Sequence, residues 1–159
     1  MQLEPIGTIF SPYEELEGMP VQPRGAHGVK GTVELKPDLE KGLQDLEGFS
    51  HIILVYWFHL SRGYSLKVKP FMDDVERGLF ATRAPRRPNP IGLSVVRLNR
   101  VKGNLLYIEN VDIVSGTPLL DIKPYVPIFD NVEDLKLGWL EGKAQKSEEI
   151  KADERFKQQ

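Results

Sequence analysis

Hydrophobic residues along the chain fall into short runs separated by Pro, Gly and Asn, the pattern of a protein built from β-strands. These runs predict strands over residues 4–10, 31–35, 92–102 and 105–114. Residues 51–58 are β-branched or aromatic at most positions, which predicts a strand buried on both faces. Several closely spaced short strands favour a closed or nearly closed β-barrel over an α/β layered fold.

The segments between the predicted strands have distinct characters. Residues 14–30 are rich in Pro and Gly and form a loop long enough to be either functional or disordered. Gly103 and Asn104 predict a tight hairpin between the last two strands. Residues 37–43 have the acidic first turn and leucine spacing of one short helix. The expected fold class is therefore mainly β, with one short helix.

The C-terminal part of the chain differs in composition from the rest. Beyond residue 143 almost every position is charged or polar, which predicts a helical, partly frayed tail. We therefore expect a β-barrel domain over residues 1–131 and a charged helical tail over residues 132–159.

Length and residue types restrict the possible chemistry. A chain of 159 residues fits one domain, and the absence of cysteine excludes thiolate nucleophiles, redox pairs and Cys-based zinc sites. Three scattered histidines give no reason to expect a metal. The N-terminus lacks the features of a signal peptide, and the longest apolar run is too short to span a bilayer. We expect a cytoplasmic protein with no membrane partner.

Charge is distributed unevenly along the chain. The net charge is −2, yet positions 77–108 hold seven Lys or Arg and no Asp or Glu. A local basic block on an acidic protein indicates a candidate anion-binding face, although a solvated face paired with distant acids is an equal alternative. Within it, residues 80–92 form a proline-stiffened loop whose Arg86 and Arg87 are candidates for RNA binding.

Two carboxylates occur in apolar surroundings, where an acid is hydrogen-bonded, paired or functional. Asp112 lies within an apolar run, and Asp121 follows another. Either of them could instead be a structural acid that accepts loop amides.

Six motifs stand out along the chain. They are Gly48-Phe49-Ser50-His51, Phe58-His59, Phe80-Ala81-Thr82-Arg83, Arg87-Pro88-Asn89-Pro90-Ile91-Gly92-Leu93-Ser94, Gly116-Thr117-Pro118 and Asp121-Ile122-Lys123-Pro124-Tyr125. Together they resemble the TsaA-like (TrmO) family of tRNA methyltransferases. The resemblance covers about residues 4–130 and leaves out the charged tail.

The resemblance implies a single-sheeted β-barrel that binds S-adenosylmethionine and forms a homodimer without a metal. It implies methylation of N6 of N6-threonylcarbamoyladenosine, next to the anticodon of tRNA. Consistently, no Gly-rich loop of the doubly wound methyltransferases follows any predicted strand.

The resemblance also implies a set of cofactor-binding residues. Arg24 and Leu60 depart from the residue types expected at their positions, so their contacts are expected through the backbone. His59 has an alternative role as a structural histidine at the end of a strand. The set is Gln22, Pro23, Arg24, His59, Leu60, Arg83, Leu93, Glu109, Asn110, Val111 and Asp112.

Methyl transfer to this nitrogen also requires a proton acceptor, for which Asp112, Asp121 and Tyr125 are candidates. Asp121, Lys123 and Tyr125 would share one face of a strand if Pro124 lies at an edge or a strand end. We predict that this group is catalytic; the alternative is a structural salt bridge capped by the phenol. Two other functions stay open: a barrel methyltransferase for another small molecule or nucleoside, and a non-catalytic RNA-binding module.

Overall fold

The computed structural model describes residues 2–153, except for the side chain of Lys146. This part of the chain contains eight β-strands and several short helical turns. The strands are β1 (Gly7–Phe10), β2 (Lys30–Leu35), β3 (His51–Trp57), β4 (Lys67–Val68), β5 (Arg77–Gly78), β6 (Ile91–Lys102), β7 (Leu105–Glu109) and β8 (Thr117–Pro124). The helices are α1 (Pro127–Asp130) and 3₁₀ turns at Pro23–Ala26, Pro37–Leu43, Leu46–Gly48, Leu79–Ala81, Gly138–Leu140 and Ala144–Glu148.

Six strands close into one antiparallel barrel in the order β1-β2-β7-β6-β3-β8. This confirms the predicted mainly β, single-sheeted barrel. Alternate side chains point inward, and the interior is filled mainly by aliphatic residues from every strand. The remaining strands, β4 and β5, form a separate two-stranded sheet beside a small buried cluster of Val68, Leu79 and Ala84.

The prediction that the strand near residues 51–58 is buried on both faces was wrong. Ile52, Leu54 and Tyr56 face the interior and are buried, whereas Ile53 and Val55 are only partly covered. A strand in a single-walled barrel has one inner and one outer face, so its apolar outer positions remain at the surface.

The last predicted strand, over residues 105–114, is shorter than expected. It ends at Glu109, because Asn110 adopts a left-handed backbone conformation with a φ of 67°. Asn110 Oδ1 also accepts a hydrogen bond from the Gly28 amide over 2.9 Å. Asparagine tolerates this conformation better than most residues, and its short amide can bond nearby backbone. The predicted turn at Gly103 and the helical turn at Pro37–Leu43 are both present.

Three connections meet at one end of the barrel, here called the loop end. They are residues 11–29 between β1 and β2, residues 58–90 between β3 and β6, and residues 110–116 between β7 and β8. The opposite end carries residues 36–50 and the turn after β6. Because antiparallel strands alternate in direction, these three connections necessarily emerge on the same side.

The C-terminal segment returns to the loop end. Within residues 132–153 its helical content is limited to the 3₁₀ turns at Gly138–Leu140 and Ala144–Glu148, while the last six predicted tail positions lie outside the described residues. Lys151 forms an isolated antiparallel bridge with Pro20. Among the described residues, no helix is long and apolar enough to cross a membrane.

We predict that any side chain at Gly92 would destabilise the barrel wall. A Cβ on Gly92 would overlap the Tyr56 ring and lie 2.9 Å from Phe58 Cζ. We expect Gly92→Ala to lower the free energy of unfolding by about 1–3 kcal/mol, the usual cost of overpacking. Urea unfolding measures this, with Gly42→Ala as control, because a Cβ on Gly42 meets no atom within 4 Å. Equal stability of the two variants would contradict the prediction.

Candidate functional site

The loop end brings together most of the residues that the family resemblance assigns to the cofactor. All three connections contribute, and two of the residues stand at strand ends beside them. Gln22, Pro23 and Arg24 come from the first connection, His59, Leu60 and Arg83 from the second, Asn110, Val111 and Asp112 from the third, and Leu93 and Glu109 from β6 and β7.

A chain of hydrogen bonds runs from the barrel interior to Asp112. Ser94 Oγ donates to Asp112 Oδ1 over 2.7 Å, and Tyr56 OH lies 3.0 Å from Ser94 Oγ. Ser94 and Tyr56 are both buried. Since the serine hydroxyl has one proton and gives it to Asp112, the tyrosine must donate to the serine. The carboxylate is therefore held in place by donors inside the barrel.

Burial controls the acidity of this carboxylate. It raises the pKa of Asp112 to about 6, against the opposing effects of the Ser94 hydrogen bond, a backbone hydrogen bond and the charge of Arg83. Burial also raises the pKa of Tyr56, and so does the charge of Asp112. Asp112 thus changes its charge near neutral pH, which is where a proton acceptor is most effective.

Arg83 links two of the connections. Its Nη1 donates to Gln22 Oε1 over 3.3 Å, and its charge acts on both Asp112 and Tyr56. Arg83 itself is exposed. A guanidinium and a carboxylate therefore face the same open end of the barrel, in a position to contact a ligand that carries both charges.

The other predicted cofactor residues have different environments. Burial lowers the pKa of His59, opposed by a hydrogen bond with the Trp57 backbone. Leu60 is exposed, and Leu93 lies on the outer wall of β6 with 52% of its surface exposed. Val111 is fully buried and donates its amide to the Val29 carbonyl, so it serves the fold at this point.

Arg24 and Glu109 are engaged by neighbours in the structure. Arg24 Nε pairs with Glu148 Oε1 of the C-terminal segment over 3.2 Å. Asn99 Nδ2 donates to Glu109 Oε2 over 3.2 Å. Pro23 opens the 3₁₀ turn that carries Arg24.

The predicted catalytic group of Asp121, Lys123 and Tyr125 lies on the barrel wall. Pro124 is the last residue of β8, so the required alternation holds, and Lys123 Nζ pairs with Asp121 Oδ2 over 2.8 Å. Both side chains are solvent-accessible. Tyr125 lies at the opposite end, where its amide donates to the His51 carbonyl and its hydroxyl donates to Asn131.

A β-bulge determines where Asp121 points. Asp121 is opposite Val55 and Leu119 is opposite Tyr56, so Leu120 is the extra residue. Leu119 and Ile122 pack with the core, which leaves Asp121 on the outer face. Across the described residues, no hydrogen bond or ion pair joins Asp121 to Asp112.

The two predicted RNA-binding arginines are unequal. Arg87 Nη1 donates to the carbonyl oxygens of Leu79, Thr82 and Ala84, the shortest at 2.9 Å, and so it braces its own loop. Arg86 Nε donates to the Arg62 carbonyl over 3.1 Å, which leaves its terminal nitrogens for other contacts.

Three residues of the site were not identified from the sequence as site residues. Ser94 and Tyr56 complete the hydrogen-bond chain. The third is Tyr13, whose pKa is raised by burial and, to a smaller extent, by the charge of Asp112. A serine at an inward position of an apolar strand is a signal of an internal polar contact. Its partner comes from another strand and cannot be inferred from spacing.

Comparison with known proteins identifies the family. The model of the tRNA-methyltransferase O N-terminal domain matches residues 8–131. The chain belongs to this family. A match of this length covers the barrel strands except Gly7, and all three connections of the loop end.

Proteins from several organisms are similar to this chain. A probable S-adenosyl-L-methionine-binding protein of Pyrococcus abyssi is 54% identical over 96% of this chain and 83% of its own length. The mouse tRNA (adenine(37)-N6)-methyltransferase is 35% identical over 84% of this chain and 33% of its own length. The crystal structure of TrmO from Pseudomonas aeruginosa is 40% identical, with a TM-score of 0.74 over 87% of this chain and 62% of that one. The chain thus spans less than two thirds of the last two proteins.

The raised pKa of Asp112 predicts how stability depends on pH. Between pH about 4 and about 6 the folded protein keeps a proton that the unfolded chain has released. Stability therefore falls as pH rises through this window, by at most about 3 kcal/mol from this group. We expect Asp112→Asn to remove this contribution.

Urea unfolding midpoints across this pH range provide the measurement. Ser94→Ala is the matched variant, because it removes a hydrogen bond that favours the ionised carboxylate. Its decline in stability should extend to higher pH than that of the wild type. A wild-type protein and an Asp112→Asn variant with the same pH dependence would contradict the assignment.

Proposed function

We propose that this protein transfers a methyl group from S-adenosylmethionine to N6 of adenine 37 in tRNA, and that its substrate is the N6-threonylcarbamoyl form of that adenosine. The observation that carries the proposal is that the Asp112 carboxylate and the Arg83 guanidinium both lie at the loop end, where the charge of Arg83 acts on Asp112. Family membership and the activity for which the mouse relative is named support the same reaction class.

The residues at the loop end suit this cofactor by their charge. S-adenosylmethionine carries a sulfonium, an ammonium and a carboxylate, and it supplies an electrophilic methyl group when bound. The Asp112 carboxylate is suited to the cationic groups and the exposed Arg83 to the carboxylate. Gln22, hydrogen-bonded to Arg83, holds the guanidinium in position. Leu60 of the second connection and Leu93 near the start of β6 are exposed apolar side chains.

Asp112 is the residue best suited to accept the proton that N6 loses during transfer. Its pKa of about 6 lies close to neutral pH, and Ser94 fixes its position. Asp121 remains the second candidate, with Lys123 and Tyr125 as its neighbours in sequence. Its ion pair with Lys123 lowers the availability of its carboxylate to another partner. Bound S-adenosylmethionine would give its methyl group to N6 and leave as an uncharged thioether, while a carboxylate of this chain or water would take the N6 proton.

We assign RNA binding to the proline-stiffened loop of residues 80–92. Phosphate contacts supply affinity that depends on salt, and Arg86 has terminal nitrogens available for them. Arg87 contributes by keeping the loop rigid, since its guanidinium bonds three carbonyl groups of that loop. We also propose a cytoplasmic protein, because the proposed substrate is a tRNA.

We also propose that the protein acts as a homodimer. Trp57, Ile91 and Leu93 are neighbours on the outer wall of β3 and β6, and each is at least 40% exposed. A contiguous apolar surface of this kind marks an interaction site.

Sedimentation equilibrium of the purified protein and of Ile91→Glu tests the homodimer. The wild-type protein should be a dimer, and the carboxylate introduced at residue 91 should produce a monomer.

The reaction itself is tested by mass analysis of nucleosides. Purified protein is incubated with methyl-labelled cofactor and with tRNA that either carries or lacks the threonylcarbamoyl group. We expect label on N6 of the carbamoylated adenosine alone. Label on unmodified adenine 37 would support the methyltransferase activity but overturn the carbamoylated adenosine as substrate. No label on either tRNA would overturn the proposed function.

The cofactor and RNA assignments predict opposite effects for two arginines. Arg83→Ala should weaken binding of S-adenosylmethionine by about tenfold or more, because it removes a charged partner. Arg86→Ala should leave cofactor binding unchanged and reduce the salt slope of tRNA binding by about one. Isothermal titration and filter binding at several salt concentrations measure these effects. Exchanged phenotypes would contradict both assignments.

Single-turnover rates separate the two candidate bases. We expect Asp112→Asn to slow methyl transfer by about 100-fold or more at saturating cofactor, the usual scale for a lost acid or base. Asp121→Asn should fold normally and keep its rate within a few-fold. A slow Asp121→Asn variant with an intact thermal transition would instead identify Asp121, on the outer wall, as the proton acceptor.

A further inference from the structure

The C-terminal segment crosses the loop end beyond the residues that the family model matches. Residues 138–152, here called the tail strap, contact the second connection first and the first connection afterwards. These are the two connections that supply Arg83 and Gln22. The strap therefore touches the proposed cofactor site from the outside.

The strap is first anchored to the segment that leads to Arg83. Trp139 Nε1 donates to the Ala81 carbonyl over 2.7 Å, and the Arg77 guanidinium lies 5.5 Å from the Trp139 ring centroid. Lys143 Nζ and Arg77 both pair with Asp73, over 3.0 and 2.6 Å. Only 6% of the Asp73 side chain is exposed, whereas Arg77 and Lys143 keep 29% and 38% of their side chains exposed.

A second anchor holds the loop that contains Gln22. The Gly18 amide donates to the Ala152 carbonyl over 2.8 Å, and the Ala152 amide donates to the Met19 carbonyl over 2.6 Å. These bonds flank the bridge between Pro20 and Lys151. The strap thus pairs with the Pro- and Gly-rich loop as a short strand would.

A third contact lies between the anchors. Glu148 pairs with Arg24, and a Cβ on Gly25 would lie 3.1 Å from the Ser147 carbonyl oxygen. Ala26 and Ser147 are buried in this contact region. The turn at Pro23–Ala26 is therefore packed against the turn at Ala144–Glu148.

We infer that the tail strap is a positioning element that sets the affinity of the cofactor site. It holds the segments before and after Gln22 and the turn before Arg83, so that these two side chains meet at 3.3 Å. A long loop held in its binding conformation loses less entropy when the ligand arrives. This inference rests on the proposed function, because it concerns the same site.

The test releases the first anchor without truncating the chain. Trp139→Phe keeps a ring beside Arg77 and removes the indole donor, and Lys143→Gln removes the ion pair with Asp73. The control is Lys136→Gln, an exposed tail residue outside the strap. Each variant is examined by thermal unfolding, by isothermal titration with S-adenosylmethionine, and by hydrogen exchange of the amides in residues 18–26.

We expect the double variant to bind the cofactor about tenfold more weakly, within the usual range of coupling between sites. Amides in residues 18–26 should exchange faster, and kcat at saturating cofactor should stay within about threefold, which a general loss of structure would not produce. Lys143→Arg, which keeps the ion pair, should restore the affinity of Lys143→Gln.

Other outcomes separate the two ideas. Unchanged cofactor affinity in the folded double variant overturns the role of the strap. If the double variant fails to fold, the comparison of Lys143→Gln with Lys143→Arg decides by the same readouts. A wild-type protein that binds no S-adenosylmethionine overturns the proposed function, and the exchange of residues 18–26 then still decides whether the strap orders the loop.

Discussion

The pairing of β1 with β8 is the constraint on which the rest of the structure depends. It closes the sheet, so that every strand has one face toward a narrow apolar interior and one toward the outside. In such an interior a polar side chain must find a partner, and the Tyr56–Ser94–Asp112 chain meets this need. Antiparallel alternation puts the three connections at one end of the barrel, closure arranges them around that end, and the charge of Arg83 acts on Asp112 there.

Local sequence features were enough to predict most of the barrel. Strand periodicity and turn residues act over a few positions, so the hairpin at Gly103 and the central strand could be located directly. The early end of β7 could not be predicted, because it depends on how Asn110 is held by Gly28 from a distant loop. The path of the tail was missed for the same reason, since its contacts lie far away in sequence.

The site was accessible from the sequence only in part. Asp112 could be singled out as an acid in an apolar run, and Arg83 by its motif. The side-chain alternation that joins Asp121 to Lys123 was also predictable, since both belong to one strand. Whether Asp121 faces inward or outward depends on pairing with β3, and no local pattern determines it. The same holds for Arg87, whose partners are carbonyl oxygens that only the folded loop brings within reach.

The bulge at Leu120 has a consequence for how this barrel can change during evolution. If Leu120 were paired in strict alternation instead, Asp121 and Lys123 would point into the apolar interior, where their charges would be strongly unfavourable. Deletion of Leu120 would leave Asp121 opposite Val55 and the rest of β8 in register, whereas deletion of Ile122 would turn Asp121 or Lys123 inward. Length variation among descendants of this gene should therefore collect in the long connection of residues 58–90 and, within β8, be confined to the bulge.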